Sequence, residues 1–465
     1  MATGTTVFSR VTVVAPRTRI DVALPADVSV ADLLPMLLEM AKETTTDGGA
    51  RHGGWCLAKL GDAPLDPSRT LGSLGVVDGD MLQLRKRSEN PPPPLYDDVV
   101  DAIAESAPDS FRPWTKETAH RIGHIAGALA LLLGAVAVLL AGPVGGVAGN
   151  LAPAVTAGAA AVVFVALGAV LAKGYQAPTT GVLVAAAGGL PMAFVSGLYI
   201  VPGEPGRASL LLACALVLIV ASASIMLIGA GVTTFVAAGT AALLGVGAFT
   251  VATLVAHPAP GIGAGAVAVA LAALSVLPRL TIQLARLPLP NVPGSAEDLK
   301  EDTGFPDYRS IERRAGLAHE YMTGMIIGCG VAAAVGAIVS AGSPKVWGVL
   351  LGVVATLVLL LRARTYANGS QAVALLATGM LSAAGILVGW LMQADGFERL
   401  LWVFGALVLL AAAAMVLGVV FPDQRFSPPL RRTVEVFEAI FIAVVLPLAL
   451  AVMDLYATLR QVSFG

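Results

Sequence analysis

Few residues of this sequence could do chemistry, and those few do not converge. His120 and His124 stand four apart, which puts both on one face of a helix. A zinc site needs more than two ligands, and no other His or Cys lies near them in sequence. Ordinary interfacial histidines are the expectation, and no metal. Cys56, Cys214 and Cys329 are far apart and read as buried small hydrophobes. Gly261-Ile262-Gly263-Ala264-Gly265 mimics a dinucleotide fingerprint, but it sits in an apolar run with no strand before it. No phosphate-binding Gly-x-x-x-x-Gly-Lys-Ser/Thr loop occurs, nor any Gly-x-Ser-x-Gly, and His319-Glu320 lacks the second His of a zinc-protease helix. Glu435, Glu438 and Asp454 lie near the ends of the last apolar run. Both glutamates are within helical reach of Arg431 and Arg432, so pairing there is expected rather than a proton relay. No catalytic residue and no cofactor site emerges, and the chain reads as a non-enzyme.

The elements that carry these residues are mostly membrane spans. The 465 residues are 56% hydrophobic and only 13% charged, about half the ~25% charge of soluble proteins. Of the 60 formal charges, 30 fall in residues 1–121. A soluble domain is therefore followed by a large membrane domain. The net charge of −2 and the lack of a basic stripe exclude nucleic acid as a partner. Residues 1–24 lack the pattern of a signal peptide, so the first segment is expected to stay on the side of synthesis. Apolar runs long enough to span recur at 122–142, 149–172, 179–201, 208–229, 231–255, 261–278, 322–341, 346–361, 371–392, 399–421 and 433–455. Very short turns separate 208–229 from 231–255 and 322–341 from 346–361. With the N-terminus inside, the inner loops hold most of the Lys and Arg, from Lys173 and Arg279 through Arg362 and Arg364 to Arg431 and Arg432. The outer loops and tail hold Arg207, Lys345, Arg399 and Arg460. That bias predicts an odd number of spans and an outer C-terminus.

Within 1–87 the pattern predicts one compact α+β unit. Val7–Val14 alternates as a strand, Ile20–Leu24 returns as its hairpin partner, and Val28–Lys42 carries apolar residues at helical spacing after a Ser29 cap. Trp55–Leu60 and Met81–Arg85 are further strands, with a short helical turn at Thr70–Val76 and a turn at Asp78-Gly79-Asp80. Residues 88–121 form a linker: Pro91–Pro94 is a stiff spacer, and Leu95–Ala107 is an acidic amphipathic helix candidate. Residues 122–278 hold spans one to six, 279–320 an inner loop, and 321–465 spans seven to eleven with a short outer tail. The loop opens with the proline-rich stretch 285–294 and ends in a surface helix at Asp307–His319 rich in both charge signs. Gly123/Gly127, Gly324/Gly328 and Gly385/Gly389 offer small faces for close helix packing.

The strand and helix order of residues 7–86 resembles the ubiquitin-like β-grasp, without a Gly-Gly end that conjugation would need. The whole chain resembles the EccD family of type VII (ESX) secretion systems. Ala285-Arg286-Leu287-Pro288-Leu289-Pro290 through Pro293-Gly294 is similar to that family's motif after the sixth span. Ser427-Pro428 with Arg431-Arg432-Thr433-Val434-Glu435, and Asp454-Leu455-Tyr456 through Leu459-Arg460, resemble its last span and end. The resemblance implies a structural inner-membrane subunit. Its partners would be a second copy of itself, an FtsK/SpoIIIE-type ATPase, other membrane subunits, and lipid in a cavity between paired copies. Arg286, Pro288, Pro290, Pro293, Arg309, Arg313, Arg314, Arg431, Arg432 and Glu435 are the expected partner-docking residues. The alternative is a secondary transporter or exporter with a cytoplasmic regulatory domain, which the scarcity of charge inside the spans disfavours.

Overall fold

The computed structural model describes residues 8–16, 18–41, 54–59, 62–86, 114–143, 150–255, 257–287, 308–420, 428–456 and 458. The candidate helix at Leu95–Ala107 and the prolines at 91–94 lie outside them. The chain divides into two units, Met1–Pro113 and Trp114–Gly465.

Among the described residues the first unit is a mixed four-stranded sheet with one helix. Its strands are β1 (Phe8–Val14), β2 (Arg19–Pro25), β3 (Trp55–Lys59) and β4 (Met81–Lys86), in the order β2-β1-β4-β3. β1 and β2 are an antiparallel hairpin, β1 and β4 run parallel, and β3 pairs antiparallel with β4. Helix α1 (Val30–Met40) begins at Ser29, whose hydroxyl accepts from the Asp32 N–H. Its Leu33 and Leu37 pack on Val11, Val13, Leu57, Leu82 and Leu84 from the sheet, as the alternation of those strands requires. The stretch Leu71–Gly75 is the expected short turn, in which the Leu74 N–H donates to the Thr70 carbonyl at 3.1 Å. The Asp78-Gly79-Asp80 turn places the start of β4 beside β1. Gly79 takes φ +90°, its N–H donates to the Arg10 carbonyl, and the Arg10 N–H donates to Asp78 at 2.6 Å. The Val77 N–H and Lys59 beside Asp80 hold its carboxyl below the usual aspartate range.

Among the described residues the second unit contains eleven helices long and apolar enough to cross a membrane. They are α2 (Lys116–Ala141), α3 (Leu151–Lys173), α4 (Pro178–Ile200), α5 (Arg207–Ile228), α6 (Val232–Leu254) and α7 (Ala259–Leu284). After these come α8 (Tyr308–Ala341), α9 (Val346–Thr365), α10 (Gly369–Gln393), α11 (Gly396–Val416) and α12 (Pro428–Val452). Both closely spaced pairs of runs are separate helices: Gly229 and Gly231, at φ +72° and +70°, turn the chain between α5 and α6. Inside α4 the backbone widens into a π segment at Ala185–Gly189, just before Pro191, whose ring and missing N–H disturb the regular ladder.

The inner loop differs from its expected form. α7 runs on to Leu284, and the expected surface helix is not separate: it is the first part of α8, which continues without a break into the seventh span. At 34 residues, α8 is ~50 Å long, well beyond a ~30 Å hydrocarbon core.

α8 is also the hub. In α8 61% of the most apolar stretch is buried by other helices, against 6% in α2 and in α11. Around it lies one apolar core, including Leu274, Ile326, Ala333, Leu351, Leu359 and Leu448 from α7, α8, α9 and α12. A smaller cluster, with Ala157, Ala161, Met192 and Tyr199, joins α2, α3 and α4. The crossing of α6 with α8 rests on glycines. A Cβ at Gly324 would stand 2.7 Å from the Thr233 carbonyl, and one at Gly328 2.6 Å from the Ala237 carbonyl. Gly263 and Gly336 meet in the same way between α7 and α8, which is the structural use of the apolar glycine run at 261–265. By contrast, a Cβ at Gly123, Gly127 or Gly389 would meet nothing within 4 Å, while Gly385 sits against Ile338.

Gly328→Leu is expected to weaken the folded bundle by about 1–3 kcal/mol through overpacking. The readout is a lowered melting temperature of the purified protein in detergent. Gly127→Leu should shift melting by no more than about 0.5 kcal/mol allows.

Candidate functional site

The charged side chains of the membrane unit collect at the ends of its helices, because burying them in hydrocarbon is costly. At the end shared by the start of α12 and the close of α9, two groups form. Arg431 and Arg432 lie four and three residues before Glu435 in the first turns of α12. They reach its carboxylate at 3.3 and 3.4 Å, as the spacing predicts. All three are largely exposed, so these bonds contribute little to stability.

Glu438 behaves differently. It does not pair with Arg431 or Arg432. It is buried, and it turns to Arg362 at 3.6 Å and Arg364 at 3.9 Å, both at the end of α9. Arg362 also donates to the Ser275 hydroxyl of α7 at 3.2 Å. Burial pushes the Tyr366 phenol, beside them, above its ordinary value of 10.0, with Arg362 opposing. One carboxylate faces two guanidinium groups, and the Arg362 Nε is buried with no partner among the described residues. The cluster is therefore a net-positive clasp across α7, α9 and α12. Arg431 and Arg432 lie seven and six residues before Glu438, too far along one helix for the expected pairing, and its partners come from α9 instead.

The opposite ends of the same helices carry a second clasp. Lys345, capping α9, pairs with Asp454 just past α12. His257, just before α7, bonds through Nε2 to the Met453 carbonyl at 2.8 Å. Of the histidine pair, His124 bonds to the Thr180 hydroxyl of α4 at 2.9 Å. Among the described residues no three His, Cys, Asp or Glu stand close enough to hold a metal.

The other expected docking residues are placed in part. Arg286 follows α7 with φ +50°, and its carbonyl accepts from Arg314 at 2.8 Å. These two are brought together; Arg309 and Arg313 lie exposed on the projecting first turns of α8. Pro288, Pro290 and Pro293 are outside the described residues. Among the described residues the arrangement brings ion pairs to both ends of the helices. It can hold helices together and present cationic surface at one end of the bundle.

Residues 119–462 match the model of the EccD-like transmembrane domain. Residues 8–84 match that of the WXG100 protein secretion system (Wss) protein YukD. The chain is 29% identical, over 99% of both lengths, to the ESX-4 secretion system protein eccD4 of Mycobacterium tuberculosis. It is 28% identical, over 89% of both, to the ESX-3 secretion system protein EccD3 of Mycolicibacterium smegmatis. A chain in the structure of protomer 1 of the ESX-3 core complex has the same fold, with TM-score 0.62 and 23% identity over 97% of this chain and 100% of that one. A chain of the MycP5-free ESX-5 inner membrane complex, State II, gives 0.55 and 19% over 89% and 99%.

Removing the buried carboxylate leaves two guanidinium groups facing each other. Glu438→Gln is expected to cost about 3 kcal/mol, near the lower end for a broken buried pair because Arg362 keeps some water contact. Glu435→Gln should cost less than about 1 kcal/mol. Thermal unfolding of the two variants in the same detergent separates them.

Proposed function

Because the chain belongs to the EccD-like transmembrane family, we propose that it is a non-catalytic membrane-core subunit of a type VII (ESX) protein secretion complex. The observation that carries this reading is the match of the full architecture, a YukD-like domain followed by eleven spans, to ESX secretion proteins along nearly their whole length.

In this reading the ubiquitin-like domain docks an FtsK/SpoIIIE-type secretion ATPase, and two copies pair through their bundles beside other membrane subunits. Lipid fills the cavity between the paired copies. Helices α2 and α11, each only 6% buried within the chain, are the faces left for lipid or for other subunits. The protein lies in the inner membrane with its N-terminus cytoplasmic and its C-terminus outside, as the inner Lys and Arg bias supports. Arg309, Arg313 and Arg314 on the projecting end of α8, with Arg431 and Arg432, then face the cytoplasm and the ATPase side.

Deletion of residues 1–87 should leave the spans inserted but remove the ATPase from complexes purified out of native membrane. Normal copurification without the domain would show the docking assignment to be wrong. For the topology, Thr458→Cys should react with an impermeant maleimide on intact cells, and Arg313→Cys only after the membrane is opened.

A further inference from the structure

The membrane unit contains an apolar cavity of about 680 Å³ among α4, α5, α6, α7 and α8. Leu210 and Val217 of α5, Ala241 and Ala248 of α6, and Ile262 of α7 represent its lining. Two side chains break the apolar surface, Arg207 and His257, and both belong to the end of the bundle where α5 and α7 begin. Arg207 is fixed there: one guanidinium N–H donates to the Ala252 carbonyl, at the close of α6, at 3.0 Å. His257 is fixed by its bond to the Met453 carbonyl. The acid of the outer clasp, Asp454, is held by Lys345.

We propose that this cavity is a seat for one anionic phospholipid, its acyl chain along α5–α8 and its phosphate at Arg207. The site lies within a single chain and does not depend on how copies pair. Water cannot fill such a space, because the lining offers it too few polar partners. Left empty, the lining atoms lose their dispersion contacts. Within a bilayer the group that supplies apolar volume of this size is an acyl chain. The guanidinium selects the headgroup: its remaining N–H donors match the forked oxygens of a phosphate, and at the helix end it sits at headgroup level. A zwitterionic lipid carries its own cation and gains less from Arg207.

The test uses the full chain in nanodiscs of phosphatidylcholine doped with phosphatidylglycerol that bears a diazirine on one acyl chain. Irradiation and peptide mapping should find labels concentrated on Leu210–Val217 and Ala241–Ala248. Arg207→Ala should cut that labelling roughly tenfold, the scale of one charge-assisted contact, and leave labelling of α2 unchanged. Arg207→Lys, which keeps the charge, should retain most of it. Ala248→Phe, which fills the cavity away from Arg207, should abolish it while the protein still elutes as a single folded species. The same diazirine on phosphatidylcholine should label the lining several-fold less. Labelling no stronger than on α2, or unchanged by Arg207→Ala, overturns the proposal. So does loss of lining labels in the intact complex, which would make the occupant a partner's helix.

Discussion

Helices in a bilayer gain nothing by hiding apolar surface from water, since lipid tails are as apolar as their own side chains. What holds this bundle is the closeness of backbones around α8. At Gly324, Gly328 and Gly336 no atom could be added between α8 and its neighbours α6 and α7. Around these contacts the apolar core closes, and bonds such as Thr356 to Ser382, at 2.7 Å between α9 and α10, satisfy the few polar groups inside. The more distant helices pack in turn on those that α8 fixes.

Charge plays a second, more selective part. α9 and α12 run antiparallel, and ion pairs join them at both ends: Arg362 and Arg364 to Glu438, Lys345 to Asp454. Neither clasp lies in mid-membrane, so each charge keeps partial access to water or headgroups, and the desolvation cost stays moderate. The last helix is thereby pinned in register as well as in position. A slip by one turn would carry Glu438 away from two guanidinium groups at once.

Much of the fold was readable because the bilayer and the β-grasp impose strong periods. Eleven apolar runs gave eleven helices, and Val11, Val13, Leu33 and Leu37 fell in the core of the first unit as their alternation and helical spacing required. The small-residue faces were less readable. Gly324 and Gly328 form a crossing, whereas Gly123 and Gly127 face open space, and nothing in the local sequence separates the two cases. Arg431 and Arg432 with Glu435 were legible as a helical spacing. The Glu438 clasp was not, since its partners come from α9, 74 and 76 residues earlier in the chain. The continuity of α8 was hidden for another reason: the change from charged to apolar composition at residues 308–322 marks the membrane surface and not the end of a helix.

That continuity has a mechanical consequence. An unbroken α-helix is stiff along its length, and α8 contains no proline from Tyr308 to Ala341 at which it could flex. It therefore works as a rod whose first turns project past the bilayer and whose remainder carries the glycine contacts. A lateral push on the projecting arginines cannot be absorbed at a joint. It arrives as tilt at Gly324, Gly328 and Gly336, where there is no slack, and so moves α6 and α7 along with it.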